Sequence, residues 1–62
     1  MKTIRVRAST LRVGDVIVGV NGGQCRVLEA VTPFLRSGVL IPTEFGGLAL
    51  PKDHYVTIVL NL

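Results

Sequence analysis

Five of the seven basic residues are arginine: Arg5, Arg7, Arg12, Arg26 and Arg36. A guanidinium is planar, permanently charged and able to hold two oxygens at once, so arginine in place of lysine favours recognition of phosphate or carboxylate. Arg5 and Arg7 stand two apart, the spacing that puts both on one side of an extended strand. Arg12 follows in a turn, Arg26 falls on the outward face of a hairpin and Arg36 in a loop. These five are the candidate residues for binding nucleic acid or an acidic partner. Only Phe34, Phe45 and Tyr55 are aromatic, which leaves few stacking platforms for single strands of DNA or RNA. Both alternatives, a nucleic-acid face and a solvated or protein-facing basic surface, stay open.

Catalytic chemistry finds no constellation. The chain has one cysteine, Cys25, and one histidine, His54, too few for a zinc site. The four acids, Asp15, Glu29, Glu44 and Asp53, are scattered. The glycines sit at turn positions and form no phosphate cradle ahead of a helix. The expectation is a protein that is not an enzyme, with no catalytic or metal-binding residue, no cofactor and no small-molecule substrate. A lone cysteine excludes an internal disulfide, and a small chain without disulfide or zinc set suits a reducing compartment. No run approaches the ~18 apolar residues of a membrane span, and "MKTIRVRAST" lacks the apolar stretch of a signal peptide. The expected location is the cytoplasm, or the host cytoplasm or virion for a phage-encoded chain, with no membrane partner.

These residues need a body to hold them. With 62 residues the chain is one domain, 1–62. Hydrophobic residues make up 48% and charged residues 18%, rich for a size that buries only about 60% of its unfolded surface. Either the core is unusually well filled, or apolar surface is covered by another copy or a partner. A net charge of +3 and a pI near 9.8 permit contact with nucleic acid or acidic protein without demanding it.

Period-two alternation dominates. In "KTIRVRA", Ile4, Val6 and Ala8 alternate with Thr3, Arg5 and Arg7, a half-buried strand. "DVIVGV" is β-branched and leads into Asn21-Gly22, a strong hairpin signal. A two-residue turn there pairs Val18 with Cys25 and Val16 with Val27. One face then holds Val16, Val18, Val20, Cys25 and Val27, and the other Ile17, Gly19, Gln24 and Arg26. Cys25 is accordingly expected as a buried structural thiol. Residues 32–38 read as a loop. "VLIPTEFGGLALP" reads as a second hairpin that pairs Thr43 with Leu48 and Ile41 with Leu50, with Pro42 at an edge or a bulge. "KDHY" suits one 3₁₀ turn, and "VTIVLNL" closes the chain. The fold class is all-β, a small barrel of five or six short antiparallel strands.

"LRVGDVIVGVNGGQCRVLE", within residues 11–31, resembles the first domain of elongation factor P and of archaeal and eukaryotic initiation factor 5A: a Leu-x-x-Gly, a strand, a glycine turn and a Cys-Arg-Val triplet. The resemblance implies an SH3-like barrel. It puts the factors' functional loop at residues 33–38, where Arg36 is the only basic residue and no lysine stands, so translation-factor activity is not carried over. "GLALPKDHYV" is similar to the Pro-x-x-Tyr-Val before the last strand of eukaryotic SH3 domains, which puts Pro51 and Tyr55 at ligand-facing positions. Without tryptophan a PxxP groove is not expected. The opening "VRASTLRVGD" resembles short proteins of actinobacteria and their phages and implies no activity.

The functional expectation is an interaction module that self-associates or docks on a larger assembly, such as a phage or bacterial accessory protein. The alternative is a small DNA- or RNA-binding protein using its arginines. The closing strand is uncharged and carries no proline, so as an edge it would invite pairing, and another copy would cover it by edge pairing or by face packing around a symmetry axis. A homo-oligomer is expected with Thr57, Val59 and Asn61 in its interface and Arg5 and Arg7 at the rim.

Overall fold

The computed structural model describes residues 2–19 and 22–60. Seven short strands follow one another: β1 (Thr3–Arg7), β2 (Val16–Val18), β3 (Gln24–Arg26), β4 (Thr32–Phe34), β5 (Gly38–Thr43), β6 (Gly46–Pro51) and β7 (Tyr55–Val59). One 3₁₀ turn covers Ala8–Thr10. The strands form two antiparallel sheets, β1-β7-β2-β3 and β4-β5-β6. The all-β class is as expected, with seven strands instead of five or six.

The sheets are joined as one bent ribbon. Residues 24–34 run along one side of β5: Val27 bridges Thr43, and Thr32 pairs with Leu40 further along. Around the bridge, Leu28 N–H donates to the Pro42 carbonyl at 2.9 Å and Glu44 N–H to the Arg26 carbonyl at 3.1 Å. Pro42 therefore sits in the central strand of its sheet, not at an edge, at a level where only its carbonyl is used. Leaving β1 aside, β2 pairs with β3, the segment from β3 to β4 runs along β5, β5 pairs with β6 and β7 returns beside β2, the SH3-like order. β1 is an extra strand on the far side of β7.

That strand overturns the expectation of an exposed closing edge. β7 pairs with β1 from Thr3↔Val59 to Arg7↔Tyr55 and with β2 through Ile17↔Ile58. An uncharged strand needs its backbone covered, and here the chain covers it with its own N-terminal segment, whose outer edge is guarded by Arg5 and Arg7. Thr57 and Val59 are half-buried in mid-sheet. Asn61, the third expected interface residue, lies outside the described residues.

Both hairpin registers differ from expectation. In the first, Val18 pairs with Gln24, Ile17 with Cys25 and Val16 with Arg26. Gly19 and Gly23 close it, with Gly19 N–H donating to the Gly23 carbonyl at 2.8 Å, so three residues connect the strands. Val20 and Asn21 lie outside the described residues. A shift of one residue exchanges the faces of β2: Ile17 turns inward with Cys25, while Val16 and Val18 turn outward with Arg26 and Gln24. In the second hairpin, Ile41 pairs with Leu48 and Thr43 with Gly46, a slide of two that keeps the expected faces. The Thr43 hydroxyl donates to the Gly46 carbonyl at 2.6 Å and accepts the Phe45 N–H at 3.2 Å, locking the shorter Glu44-Phe45 turn. Gly46, at φ +112°, supplies the backbone shape this turn needs.

Residues 32–38 are a hairpin rather than a loop. Thr32–Phe34 pairs with Gly38–Leu40, and Pro33 is tolerated because β4 lies outermost. A Cβ on Gly38 would stand 2.8 Å from the Phe34 carbonyl oxygen, so the turn closes only over glycine. The 3₁₀ turn expected at 52–55 is a single turn, closed by His54 N–H to the Pro51 carbonyl at 3.0 Å. The 3₁₀ turn at Ala8–Thr10 docks against it, with Ala8 N–H donating to the His54 carbonyl at 2.8 Å.

The buried core comprises Ala8, Leu11, Ile17, Val27, Val39 and Ile41. The first sheet adds an inward row of Ile4, Ile58, Ile17 and Cys25. At the two outer strands, Ile4 and Leu48 face inward by register yet are 44% and 36% exposed. The barrel is open between β1 and β6. The apolar excess of the composition is thus not absorbed by the core. Among the described residues, no helix is long and apolar enough to cross a membrane.

Cys25 is half-buried, not fully buried as expected. Cys25→Ala should lower stability by about 1 kcal/mol, the low end for truncating a core-facing side chain. Urea denaturation measures it; an unchanged midpoint would show that the thiol packs on nothing.

Candidate functional site

The outer face of the first sheet gathers most of the candidate residues. Val6 packs on the core, so its alternates on β1, namely Thr3, Arg5 and Arg7, point outward. Beside them on β7 stand Val59, Thr57 and Tyr55. With Ile17 and Ile58 paired inward, Val16 and Val18 come level with Val59 and Thr57 on the outside. Opposite these on β3 are Arg26 and Gln24. One row across the face is Thr3, Val59, Val16 and Arg26; the next is Arg5, Thr57, Val18 and Gln24; Arg7 and Tyr55 begin a third. Val16, Val18, Thr57 and Val59 make a half-buried, uncharged strip, and the arginines are exposed.

Tyr55 organises the basic end. The Arg5 guanidinium carbon lies 5.4 Å from the centroid of its ring, within the ~6 Å reach of a cation–π contact. The Arg7 pKa is raised above its ordinary value, chiefly by the hydroxyl of Tyr55, its neighbour across β1 and β7, and then by the Asp53 carboxylate. At the opposite edge, the Arg26 backbone N–H donates to Glu44 Oε1 at 3.2 Å. Two of the three arginines of this face, Arg5 and Arg7, lie on β1.

Arg5, Arg7 and Arg26 thus share one face: alternation along β1 puts the first two together, and the strand order brings Arg26 to them. Arg12 does not join them. It lies in the turn before β2, where its N–H donates to Asp15 Oδ2 at 2.9 Å. Arg36 is on the other sheet, at the tip between β4 and β5. There it borders a groove of about 400 Å³ with Phe34, Leu35 and Pro51. Leu35 at that tip has φ +59° and is 85% exposed. Pro51 ends β6 and Tyr55 begins β7, with one residue more between them than the SH3 motif has.

Cys25 lies in the inward row of Ile58, and His54 precedes β7, so roughly 13 Å of strand separates their levels. Among the described residues, no group of three or more His, Cys, Asp and Glu side chains could hold a metal ion. The sequence reading missed Val16 and Val18 as part of the outer face, and missed the link between Tyr55 and the two arginines. No local pattern signals either, since both depend on which strands are neighbours.

No family model matches the chain, and no curated protein or solved structure is found similar to it.

Proposed function

We propose that the chain is a non-enzymatic docking module whose outer first-sheet face binds an acidic protein surface. One observation carries this reading: Arg5 lies over the Tyr55 ring and Arg7 is paired with Tyr55 across β1 and β7, beside the uncharged strip of Val16, Val18, Thr57 and Val59. Carboxylates would take the guanidinium forks as charge-assisted pairs, and apolar side chains would cover the strip, the anatomy of a small interface. A second copy fits this face less well, because it would meet like charge with like. A second reading, nucleic acid, is favoured by the Arg5–Tyr55–Arg7 grouping, since a ring flanked by cations suits a base and its phosphates.

Fluorescence anisotropy separates the two readings, with a labelled peptide of alternating Glu and Leu and a labelled single-stranded DNA oligonucleotide as probes. Replacing Arg5 and Arg7 together by alanine should weaken peptide binding about tenfold or more, the effect of losing charged hydrogen bonds. Arg36→Ala, on the other sheet, should leave it unchanged. DNA binding that exceeds peptide binding and collapses with salt would transfer the assignment to nucleic acid. Failure to bind either probe would remove both readings.

A further inference from the structure

We infer that β6 is a self-pairing edge, through which two copies of this chain join their second sheets antiparallel about a two-fold axis at Leu48.

The hydrogen-bond directions of β6 decide which of its backbone groups are left free. In an antiparallel strand the N–H and C=O of one residue point to the same side, and successive residues alternate. Lys52 N–H donates to the Ser37 carbonyl at 2.8 Å, so the even-numbered residues of β6 address β5. Pro42 agrees: it has no N–H, its carbonyl is turned to Leu28, and its partner Gly47 is free of bonds to β5. Gly47 and Ala49 therefore direct their N–H and C=O groups away from β5. Among the described residues, no strand lies on that side.

The outer strands are not alike, and β4 is blunted by Pro33 in its middle. β1 carries Arg5 and Arg7, charges that discourage strand pairing. β6 is Gly-Gly-Leu-Ala-Leu-Pro and has no charge. Its outward-bonding residues flank Leu48, an inward-facing side chain that remains 36% exposed.

A second copy fits this edge, because the exposed Leu48 at its centre would be covered by its own counterpart. The segment Gly47-Leu48-Ala49 presents the same groups in both directions: a free peptide pair, an apolar side chain, a free peptide pair. Turned about a two-fold axis, Gly47 of each chain meets Ala49 of the other, and each meeting exchanges two backbone hydrogen bonds. Leu48 then stands opposite Leu48 of the second copy, closing apolar surface that the monomer leaves open. Gly47 and Ala49 are small and uncharged, so nothing repels. The contact is smaller than the ~1,200 Å² of a standard interface, so dimerisation should be concentration-dependent, in the high micromolar range. It uses a different sheet from the arginine face and stands whether or not that face docks on acid.

Light scattering across concentration tests the pairing. The wild type should rise toward twice its 6.7 kDa mass. Ala49→Pro removes an outward N–H that makes no bond within the chain, and should stay at monomer mass. Leu48→Lys is the second variant, to be used if the proline costs the β spectrum, and should also stay monomeric. In a Cys25→Ser background, Leu48→Cys should form a covalent dimer on oxidation, because directly opposed residues of a non-hydrogen-bonded pair reach disulfide distance. A wild type that stays at monomer mass into the millimolar range overturns the inference, even if β6 then takes up a foreign strand. A dimer that persists in the folded proline or lysine variant, or that the cysteine variant fails to cross-link, also overturns it.

Discussion

Replacing Ile41 by alanine is expected to leave much of the chain unfolded at room temperature. Ile41 is 0% exposed and, with Val27, is one of the largest fully buried side chains of the described residues. It sits on β5, the central strand of the second sheet, opposite Leu48. Truncating such a residue costs about 2–5 kcal/mol, because the cavity adds to the lost transfer energy. A domain of this length has only about 3–9 kcal/mol of stability in total. With six residues in the buried core, few neighbours can shift to fill the hole. Ile41→Val keeps most of the volume and should cost about 0.5–1.5 kcal/mol. Urea titrations followed by circular dichroism measure both. An alanine variant as stable as the wild type would mean that the cooperative core lies elsewhere.

The second large effect concerns the cover on β7. Leu60 N–H donates to the Lys2 carbonyl at 2.8 Å, so by alternation Ile4 and Val6 are the β1 residues whose amides face β7. Ile4→Pro removes one of those amides and should detach the strand. An uncharged edge would then stand open to water, the arrangement that leads to pairing between molecules. The variant should turn turbid and scatter light strongly at concentrations where the wild type remains clear. Arg5→Pro is the control, since the Arg5 amide faces outward and the strand has less to lose. If Ile4→Pro stays as clear and as dispersed as the wild type, β1 is not what protects the closing strand.

Much of the candidate face was legible before any pairing was known. Arg5 and Arg7 share a side because side-chain direction alternates along an extended backbone, whatever lies beside it. The same local rule turned Arg26 outward and Cys25 and Val27 inward. The glycines and prolines marked most of the turns, because dihedral freedom belongs to the residue itself. Pro33 was the exception: it disguised β4 as loop, since a proline is excluded from a central strand but not from an outer one.

What only the tertiary structure decided was which strands are neighbours and in what register. Val16, Ile17 and Val18 are all apolar, so either face of β2 can turn inward, and the choice fell to Ile58 on distant β7. The second hairpin could slide by two without moving any side chain to the wrong face, and the Thr43 hydroxyl settled its length. YVTIV looks like an unprotected edge until β1 is seen beside it. Arg26 reaches the face of Arg5 and Arg7 only because β7 and β2 lie between them, while Arg12 and Arg36 fall elsewhere. The direction of a side chain is set by its own backbone, within a residue or two. The neighbour of a strand is set by burial against residues far along the chain, and no local pattern records it.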